Sequence, residues 1–422
     1  MACSSTSKPV AEVDGTEAID RSQFVVATYQ SRAVAGTDIE RFARSLAELQ
    51  SSGAWVELAG ETDLIRRRHA GRVLKTWDIS DLEAPAWGIE IAYPTHNTSN
   101  QIPLLLATVY GECASWRDLK VIDLQLPETL VTAFKGPAVG LDGIRRLVDA
   151  PDRPLLVTIL KPAIGLTPTE SAAVFYEAAI GGSDAVKDDE KVVSQPWSDF
   201  LDRVRMHGRA ATAAFEQTGH RTLYFVNITD RPDRLLANAH AAVEAGASAL
   251  LVNDWTVGVS ALSMFADDPM IGLPIMAHLA FAGAVSGSWS GMSPHLVLGT
   301  LPRLAGADVA VYPSHLGTLP FSRADAVRVG GALTDPWFGM RQSLPVAGGG
   351  LHAGMVPRLV ADLGIDWAMA AGGGVHGHPD GTAAGARSIR QAFDAAVRGV
   401  PLAEARKEHP ELSAALEKWP EV

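Results

Sequence analysis

The chain has 422 residues, of which 47% are hydrophobic and 20% charged, and its formal net charge at pH 7 is −12. This length suits two domains, or one barrel-sized domain with an addition. The acidic balance and the lack of any block of five basic residues argue against a nucleic-acid-binding face, so an anionic substrate needs local cationic groups.

The sequence shows no membrane span, secretory signal or disulfide framework. Its longest apolar runs, such as Leu104–Tyr110 and Ala247–Val252, are too short to cross a bilayer. Residues 1–20 have no apolar core, so we expect a disordered leader rather than a signal peptide. Cys3 and Cys113 are the only cysteines, which leaves no thiolate metal site. The expected location is the cytoplasm.

After the leader, residues 21–135 are expected to form an α+β domain of the ferredoxin-like type. Apolar residues repeat at helical spacing over Asp38–Leu49, behind a possible Asp38 cap. Leu104–Tyr110 is a further apolar segment, and Phe134–Gly140 reads as a linker. Strand-like segments lie at Phe24–Tyr29, Ala54–Leu58, Gly71–Trp77, Trp87–Tyr93 and Lys120–Leu126.

Residues 136–422 alternate regularly between apolar runs and helix-like stretches. The runs are Leu155–Leu160, Asp184–Val186, Thr222–Val226, Ala247–Val252, Pro274–Ala277, Asp308–Tyr312, Pro345–Ala347 and Trp367–Ala371. Helix-like stretches include Pro168–Ala179, Asp199–Thr218, Arg231–Glu244 and Pro294–Leu304. Eight strands alternating with helices over about 250 residues predict a (β/α)8 TIM barrel, followed by carboxyl-terminal helices.

In such a barrel, catalytic groups gather at the carboxyl ends of the strands. Those ends carry Lys161; Lys187, Asp189 and Glu190; Asn227; Asn253 and Asp254; His278; Ser314 and His315; Gly348–Gly350; and Gly372–Gly374. Each has an ordinary alternative, since Lys161 could end a strand, His278 could be a core histidine and His315 could cap a turn. Their common position favours a single site.

The stretch Gly181–Pro196, GGSDAVKDDEKVVSQP, is the centre of this prediction. Lys187 and Asp189 share one face of a strand, and Glu190 can approach from the following turn. Two carboxylates with open positions are typical of Mg²⁺ sites that also bind substrate. The lysine fits there as a counter-ion, or as an oxygen anion if its neutral amine reacts with CO2 to form a carbamate. The alternative is a solvated acidic turn.

The two triple-glycine clusters predict a phosphate site. Glycines allow consecutive backbone N–H groups to approach an oxyanion, and a following helix adds a favourable dipole. Phosphate sites after the seventh and eighth strands are frequent in such barrels. A flexible turn is the alternative for either cluster alone.

These segments resemble the RuBisCO large-subunit superfamily over nearly all of residues 20–400. GGSDAVKDDEKVVSQP is similar to its carbamylated-lysine signature, TILKPAIGL to its catalytic-lysine segment, AHLAF and SHLGT to its histidine segments, and VAGGGLH and AGGGVHGHP to its phosphate turns. The resemblance implies Mg²⁺ on carbamylated Lys187, Asp189 and Glu190. It also implies catalytic roles for Lys161, Lys187, His278 and His315, and phosphate contacts from Gly349, Gly350, Gly372 and Gly373. Trp55, which is kept in the segment QSSGAW, and the strand-end residue Asn227 are expected to contact substrate.

The chain differs from a carboxylase at the positions where the carboxylase binds CO2 and a second phosphate. SHLGTLPFSR has no loop lysine; Ala163 and Leu279 replace an expected lysine and arginine; Leu49 or Gln50 stands at the expected glutamate; and Glu112 replaces an asparagine. The resemblance is therefore to form IV, the RuBisCO-like proteins that do not fix CO2.

Within that class, PIMAH, GHRTLYFVNIT, GMVPRLVADLGID and AGGGVHGHP are similar to the 2,3-diketo-5-methylthiopentyl-1-phosphate enolases of methionine salvage. Those enolases carry a lysine general base at the position of Glu112. The change alters charge by two units, so the same proton transfer does not carry over. Glu112 is either a second acid–base group or a surface glutamate.

The expected function is Mg²⁺-dependent proton abstraction or decarboxylation next to a carbonyl, through an enediolate, on a monophosphorylated linear ketose or keto sugar acid. The resemblance also implies a homodimer or larger oligomer whose active site is shared between subunits. The alternatives are the salvage enolase or a methylthioribulose-phosphate isomerase, a metal-independent phosphosugar isomerase, and a non-catalytic regulatory relative.

Overall fold

The computed structural model describes residues 19–32, 38–54, 56, 58–80 and 85–422. They divide into two compact units, one up to Phe134 together with Gly283–Val297, and one comprising Lys135–Ala282 and Leu298–Val422. Residues 1–18 of the predicted leader, and Trp55, lie outside the described residues. No helix in the described part of the chain is long and apolar enough to span a bilayer.

Thirteen strands and eighteen α-helices make up the described chain. The strands are β1 Phe24–Ser31, β2 Arg72–Asp78, β3 Trp87–Pro94, β4 Leu119–Gln125, β5 Leu155–Ile159, β6 Ala185–Lys187, β7 Leu223–Asn227, β8 Ala249–Val252, β9 Ile275–Ala277, β10 Gly291–Met292, β11 Val309–Pro313, β12 Leu344–Gly348 and β13 Ala368–Ala371. The helices are α1 Ile39–Leu49, α2 Asp63–His69, α3 Ile102–Tyr110, α4 Glu128–Val131, α5 Gly140–Val148, α6 Pro168–Ile180, α7 Phe200–Thr218, α8 Leu235–Glu244, α9 Asp254–Val257, α10 Ala261–Asp267, α11 Ala282–Val285, α12 Leu301–Leu304, α13 Arg323–Thr334, α14 Val356–Leu363, α15 Gly373–His376, α16 Thr382–Val397, α17 Leu402–Ala405 and α18 Pro410–Lys418.

The amino-terminal unit is an α+β domain built on a five-stranded sheet with the order β10-β4-β1-β3-β2. β1 is antiparallel to both β3 and β4, while β10, from a distant part of the chain, adds parallel to β4. The Asp38 cap is confirmed, because its carboxylate accepts the backbone N–H of Arg41 at 3.1 Å. The predicted strand at Ala54–Leu58 is wrong at its described positions, which form no strand.

The second unit is a closed barrel of eight parallel strands in the order β11-β12-β13-β5-β6-β7-β8-β9, which confirms the predicted fold. Each predicted run matches an observed strand to within two residues. Alternate side chains, such as Val309 and Val311 of β11, fill the interior. Because parallel strands enter from one end, all eight carboxyl ends meet at one rim.

The amino-terminal end of β6, away from the rim, is fixed by a buried ion pair between Asp184 and Arg153. The two Arg153 Nη atoms donate to the two carboxylate oxygens at 2.6 and 2.8 Å, and the Leu156 N–H donates at 2.8 Å. Burial disfavours the carboxylate, but the hydrogen bonds of Arg153 and His220 and the charges of Arg153 and Arg390 together outweigh it and lower the pKa of Asp184. This contact ties the entry of β6 to β5.

Arg153→Met is expected to destabilise the barrel by about 3 kcal/mol, because it leaves a buried carboxylate without its main partner. The urea midpoint of unfolding at pH 7 measures this loss of stability. The control is Arg398→Met, which removes an exposed arginine from a helix end. This control is expected to change the free energy of unfolding by less than ~0.5 kcal/mol. The folded-state pKa of Asp184 is lowered, so the stability that Arg153 contributes is fully present at neutral pH. It is lost as the pH falls from the usual aspartate pKa through the lower folded-state pKa of Asp184. Equal midpoints for the two variants would contradict this account.

Candidate active site

The predicted strand-end residues lie in phase with the barrel interior. Ala185 of β6 faces inward, so Lys187, two residues further along, lies on the same face. The same spacing puts Asn227 after Phe225 and Gly372 after Ala370. The alternation that packs the core thus directs these residues towards the mouth of the barrel.

Lys187 is fully buried at the end of β6. Its Nζ donates to the backbone carbonyl of Asp188 at 2.9 Å and lies 3.9 Å from Oε2 of Glu190. Burial lowers the pKa of Lys187 to about 8, although the carboxylates of Glu190 and Asp189 oppose the shift. The amine is therefore neutral more often than an ordinary lysine, and the neutral form is the one that reacts with CO2.

Asp189 joins this cluster to the lysine that follows β5. Lys161 Nζ lies 2.7 Å from one Asp189 oxygen, and Lys191 Nζ lies 3.1 Å from the other. Lys191 also contacts Glu190 at 3.2 Å. The Asp189 side chain is only 1% exposed, whereas that of Lys161 is 37% exposed, so Lys161 presents its amine both to the carboxylate and to solvent.

Two asparagines hold the backbone of the acidic turn. Asn227 Nδ2 donates to the Asp189 and Glu190 carbonyls at 3.3 and 3.1 Å, and Asn253 Nδ2 donates to the Glu190 carbonyl at 2.9 Å. Asn227 was predicted from its strand-end position to contact substrate, and that role stays a prediction. Asn253 was noted only as a polar strand end, because no local pattern links it to a turn so far away in sequence.

Asp188 anchors the same turn from the opposite side. Its carboxylate accepts hydrogen bonds from the Tyr224 hydroxyl at 2.8 Å, the Asn227 backbone N–H at 3.1 Å and Arg203 Nε at 3.3 Å. All of these groups are buried. Asp188 therefore fixes the backbone of the turn, while the next two residues, Asp189 and Glu190, face the site.

His278 is close to the acidic pair and is neutral. Its Nε2 lies 3.8 Å from Glu190 Oε2, while its Nδ1 accepts the Ala280 backbone N–H at 3.2 Å, which places the ring proton on Nε2. Burial, followed by the nearby charge of Lys187, holds the pKa of His278 well below its usual range. His278 can donate a hydrogen bond from Nε2 without carrying charge.

Asp254, the residue after Asn253, was predicted only as a polar strand end and was given no role in the site. It is 1% exposed, and burial raises its pKa to about 8. A carboxyl group that is protonated near neutral pH is a potential proton donor. The sequence shows its place, directly after an apolar strand, but not the burial that raises its pKa.

The first glycine turn has a backbone that ordinary residues rarely adopt. Gly349 and Gly350 have φ values of +101° and +78°. A Cβ atom at Gly350 would lie 2.6 Å from Cγ2 of Thr318. Only glycine fits this turn without strain.

The second glycine turn lies against Lys161. A Cβ atom at Gly372 would be 3.2 Å from Cε of Lys161. Gly373 begins the four-residue helix α15, and a Cβ there would meet no atom within 4 Å. The structure thus brings together Lys161, the acidic turn and the second glycine turn.

His315 follows β11 and contacts a residue of α14. Its Nε2 lies 2.9 Å from Oδ2 of Asp362, which also binds Arg323 and Arg358. Although burial opposes it, the hydrogen bonds of these partners lower the pKa of Asp362 to about 2. No described contact links His315 directly to the Lys187 cluster, so its catalytic role stays a prediction.

Glu112 belongs to the amino-terminal unit. It is the first residue of a 3₁₀ turn, Glu112–Ser115, that follows α3, and its side chain is exposed. Trp55, the other residue predicted there, is outside the described part of the chain. Their predicted roles in substrate binding and proton transfer therefore remain predictions.

The donor set fits the implied Mg²⁺ under one condition. Among the described residues, no group of three His, Cys, Asp or Glu side chains is arranged to hold a metal ion. Asp189 and Glu190 supply two carboxylates, so Lys187 has to supply the third anionic oxygen as a carbamate. That modification turns its positive charge into a negative one, a change of two units that a divalent cation balances.

The fold and the site together define a class of protein, a (β/α)8 barrel with a lysine–carboxylate cluster and glycine turns at its carboxyl rim. Residues 140–419 match the model of the ribulose bisphosphate carboxylase large chain, catalytic domain, and residues 16–130 match its N-terminal domain. The chain therefore belongs to the RuBisCO large-chain family.

The similar proteins include members that are not named as carboxylases. A ribulose bisphosphate carboxylase-like protein of Archaeoglobus fulgidus is 39% identical over 91% of this chain and 90% of the relative. The 2,3-diketo-5-methylthiopentyl-1-phosphate enolase of Geobacillus kaustophilus is 38% identical over 91% of this chain and 95% of the relative.

Solved structures agree with this placement. A rubisco-like protein from Alicyclobacillus acidocaldarius superposes with a TM-score of 0.87 at 37% identity, covering 94% of this chain and 99% of that chain. Other similar structures are carboxylases described as dimeric or octameric. The similarities support a RuBisCO-like enzyme with enolase-type chemistry other than carboxylation.

Proposed function

We propose that the protein catalyses Mg²⁺-dependent enolisation-type chemistry on a monophosphorylated linear ketose or keto sugar acid, without CO2 fixation. The observation that carries the proposal is the buried Lys187 amine next to Asp189 and Glu190, with Lys161 2.7 Å from Asp189. The substitutions Ala163 and Leu279, and the missing loop lysine, support chemistry other than carboxylation.

Lys187 as a carbamate, Asp189 and Glu190 would hold the cation. When bound, Mg²⁺ polarises a carbonyl and stabilises negative charge that develops on its oxygen. Asp188, Asn227 and the surrounding hydrogen bonds keep the ligand-bearing backbone in place before substrate arrives, which reduces reorganisation during the reaction.

Lys161 is the proposed proton-transfer group. Its amine contacts Asp189 and is partly open to solvent, so it can exchange protons and still reach a substrate carbon held beside the metal site. Neutral His278 is suited to donate a hydrogen bond to a substrate oxygen from Nε2. His315 is proposed as a further substrate contact.

The glycine turns are proposed to bind the single phosphate group through Gly349, Gly350, Gly372 and Gly373. Binding energy from this non-reacting end would orient the reacting end of the substrate. Because Gly372 lies against Lys161, a phosphate on the second turn would place the adjoining carbons near that amine. Dimeric and octameric relatives support the further proposal of a homo-oligomer.

A second candidate is the 2,3-diketo-5-methylthiopentyl-1-phosphate enolase reaction itself. It is favoured by 38% identity over almost the whole length of such an enolase. Against it stands Glu112 in place of a lysine general base. If the protein catalyses this reaction, a group other than the residue at position 112 has to remove the proton, and we propose Lys161 for that role.

Deuterium exchange tests the proposed function. In ²H₂O with Mg²⁺ and bicarbonate, we expect the protein to introduce deuterium next to the carbonyl of at least one monophosphorylated ketose or keto sugar acid, measured by mass spectrometry. The unphosphorylated analogue is expected to bind at least about tenfold more weakly, since one hydrogen bond to a charged group contributes about 1.5–3 kcal/mol. Equal affinities would remove the glycine turns from the site.

A pair of glycine variants serves as a matched control. Gly349→Ala and Gly399→Ala both place alanine at a positive φ, +101° and +68°, but only the first changes the proposed phosphate turn. Only Gly349→Ala should raise KM for the phosphorylated substrate. Exchange that survives a chelator would favour the metal-independent isomerase, and no exchange with any sugar phosphate would favour a non-catalytic relative.

A further inference from the structure

Trp419, the residue after α18, packs against the chain that leaves each of the two glycine turns. Its ring stacks on that of His352, just after the first turn, with centroids 5.8 Å apart and planes inclined by 19°. A Cβ atom at Gly377, just after α15 and the second turn, would lie 3.4 Å from Cζ2 of the same ring. One side chain therefore contacts both turns at the points where the chain leaves them.

The backbone around Trp419 also lies against the chain that follows the first turn. The Val422 N–H donates to the carbonyl of Gly354 at 3.2 Å. A Cβ atom at Gly354 would lie 2.8 Å from the carbonyl oxygen of Trp419 and closer still to that of Pro420. Only a glycine allows two backbone segments to approach so closely. Residues 419–422 are thus held against the 3₁₀ turn Ala353–Met355.

Lys418 makes the corresponding contact on the side of the second turn. Its Nζ donates to the carbonyl of Gly377 at 2.6 Å and lies 5.0 Å from the centre of the Trp419 ring. The helix that begins at the second turn, α15, has only four residues. So short a helix is not stable by its own hydrogen bonds. Its position depends on contacts such as these.

The two glycine turns also pack directly on each other. A Cβ atom at Gly374 of α15 would lie 3.0 Å from Cα of His352 and closer still to the carbonyl oxygen of Leu351. The chain leaving the first turn is therefore in backbone contact with the helix that follows the second. Because Trp419 contacts His352 and Gly377, it packs against both parts of this joint.

We propose that Trp419 is a positioning residue for the phosphate site, which together with Lys418 fixes the spacing of the two glycine turns. Two turns from different strands can bind one phosphate group well only if their spacing is set before the ligand arrives. Trp419 acts through the turns and needs no contact with the ligand. The inference rests on the proposed function, because it requires the turns to bind phosphate.

Calorimetric titration of the full-length protein with inorganic phosphate tests this role. Because misplacing a binding group by about 1 Å can cost up to about 10²-fold, we expect Trp419→Ala to weaken phosphate binding about tenfold. Trp419→Phe keeps an aromatic ring against His352 and should restore most of the affinity. The matched control is Trp337→Ala, since Trp337 is also partly buried but lies between α13 and β12, at the end of the barrel away from the rim. This control should bind phosphate as the wild-type protein does.

A second variant keeps the proposal testable if Trp419→Ala does not fold. Lys418→Met removes an exposed amine and its hydrogen bond to Gly377, and it should weaken phosphate binding about threefold, the effect of one modest hydrogen bond. A residue that only stabilised the fold would not show this pattern, in which the loss depends on the contact with the turns and is restored by a phenylalanine.

Gly349→Ala separates failure of this inference from failure of the phosphate site itself. If the wild-type protein binds no phosphate, or if Gly349→Ala binds it equally well, the proposed phosphate site is wrong and the role of Trp419 is overturned with it. If Gly349→Ala weakens binding but Trp419→Ala and Lys418→Met do not, only the role of Trp419 is overturned. The same conclusion follows if Trp337→Ala loses as much affinity as Trp419→Ala, or if Trp419→Phe restores none.

Discussion

Lys187→Ala is expected to lower turnover by at least ~10²-fold and to abolish bicarbonate-dependent Mg²⁺ binding, because it removes the third anionic ligand and with it the charge stabilisation at the reacting oxygen. Asp189 and Glu190 remain in this variant, but Lys161 and Lys191 pair with Asp189 and Lys191 also pairs with Glu190, so these two carboxylates no longer favour a divalent cation. The loss should therefore affect metal binding and catalysis together.

A spectroscopic measurement separates this effect from a general loss of structure. With ¹³C-bicarbonate and Mg²⁺, the wild-type protein should give a carbamate carbon signal that is absent from Lys187→Ala. Lys191→Ala is the matched control, since Lys191 contacts the same two carboxylates from a side chain that is 55% exposed, and it should retain the signal. Full activity in Lys187→Ala would end the metal hypothesis.

Lys161→Met is expected to slow exchange of the substrate proton with solvent by about 10²–10⁴-fold, the usual contribution of a positioned acid or base. Its amine contacts both the buried carboxylate of Asp189 and solvent, as a group that both takes and releases a proton must. Deuterium incorporation measured separately from net turnover would show whether the variant has lost the proton-transfer step or only substrate binding.

Two further variants show whether slow exchange in Lys161→Met is specific to Lys161. Lys191→Met also removes an ion pair with Asp189 and is expected to keep most of the exchange activity. Glu112→Gln tests the competing assignment, in which the amino-terminal unit supplies the base. Slow exchange in Glu112→Gln with normal exchange in Lys161→Met would transfer the role to Glu112, and the opposite pattern would leave it with Lys161.

Much of the fold follows from local patterns in the sequence. Apolar runs separated by helix-like stretches identify all eight barrel strands, and Asp38 marks the start of α1, because strand and helix formation depend on residues close in the chain. The strand predicted at Ala54–Leu58 is wrong at its described positions, because a short apolar alternation does not reveal whether a partner strand lies beside it. The segment Leu104–Tyr110 lies in the helix α3, whose buried residues are Ile102, Leu105 and Val109.

The sequence by itself determined the chemical types at the strand ends, because the period of two that packs Ala185 in the interior also selects Lys187. Only the tertiary structure decided what those residues touch. Lys161 meets Asp189, and His315 meets Asp362, across 28 and 47 positions in the chain. The physical reason is that barrel closure brings distant strand ends to one rim, and the burial and charge found there arise from neighbours that no local pattern encodes.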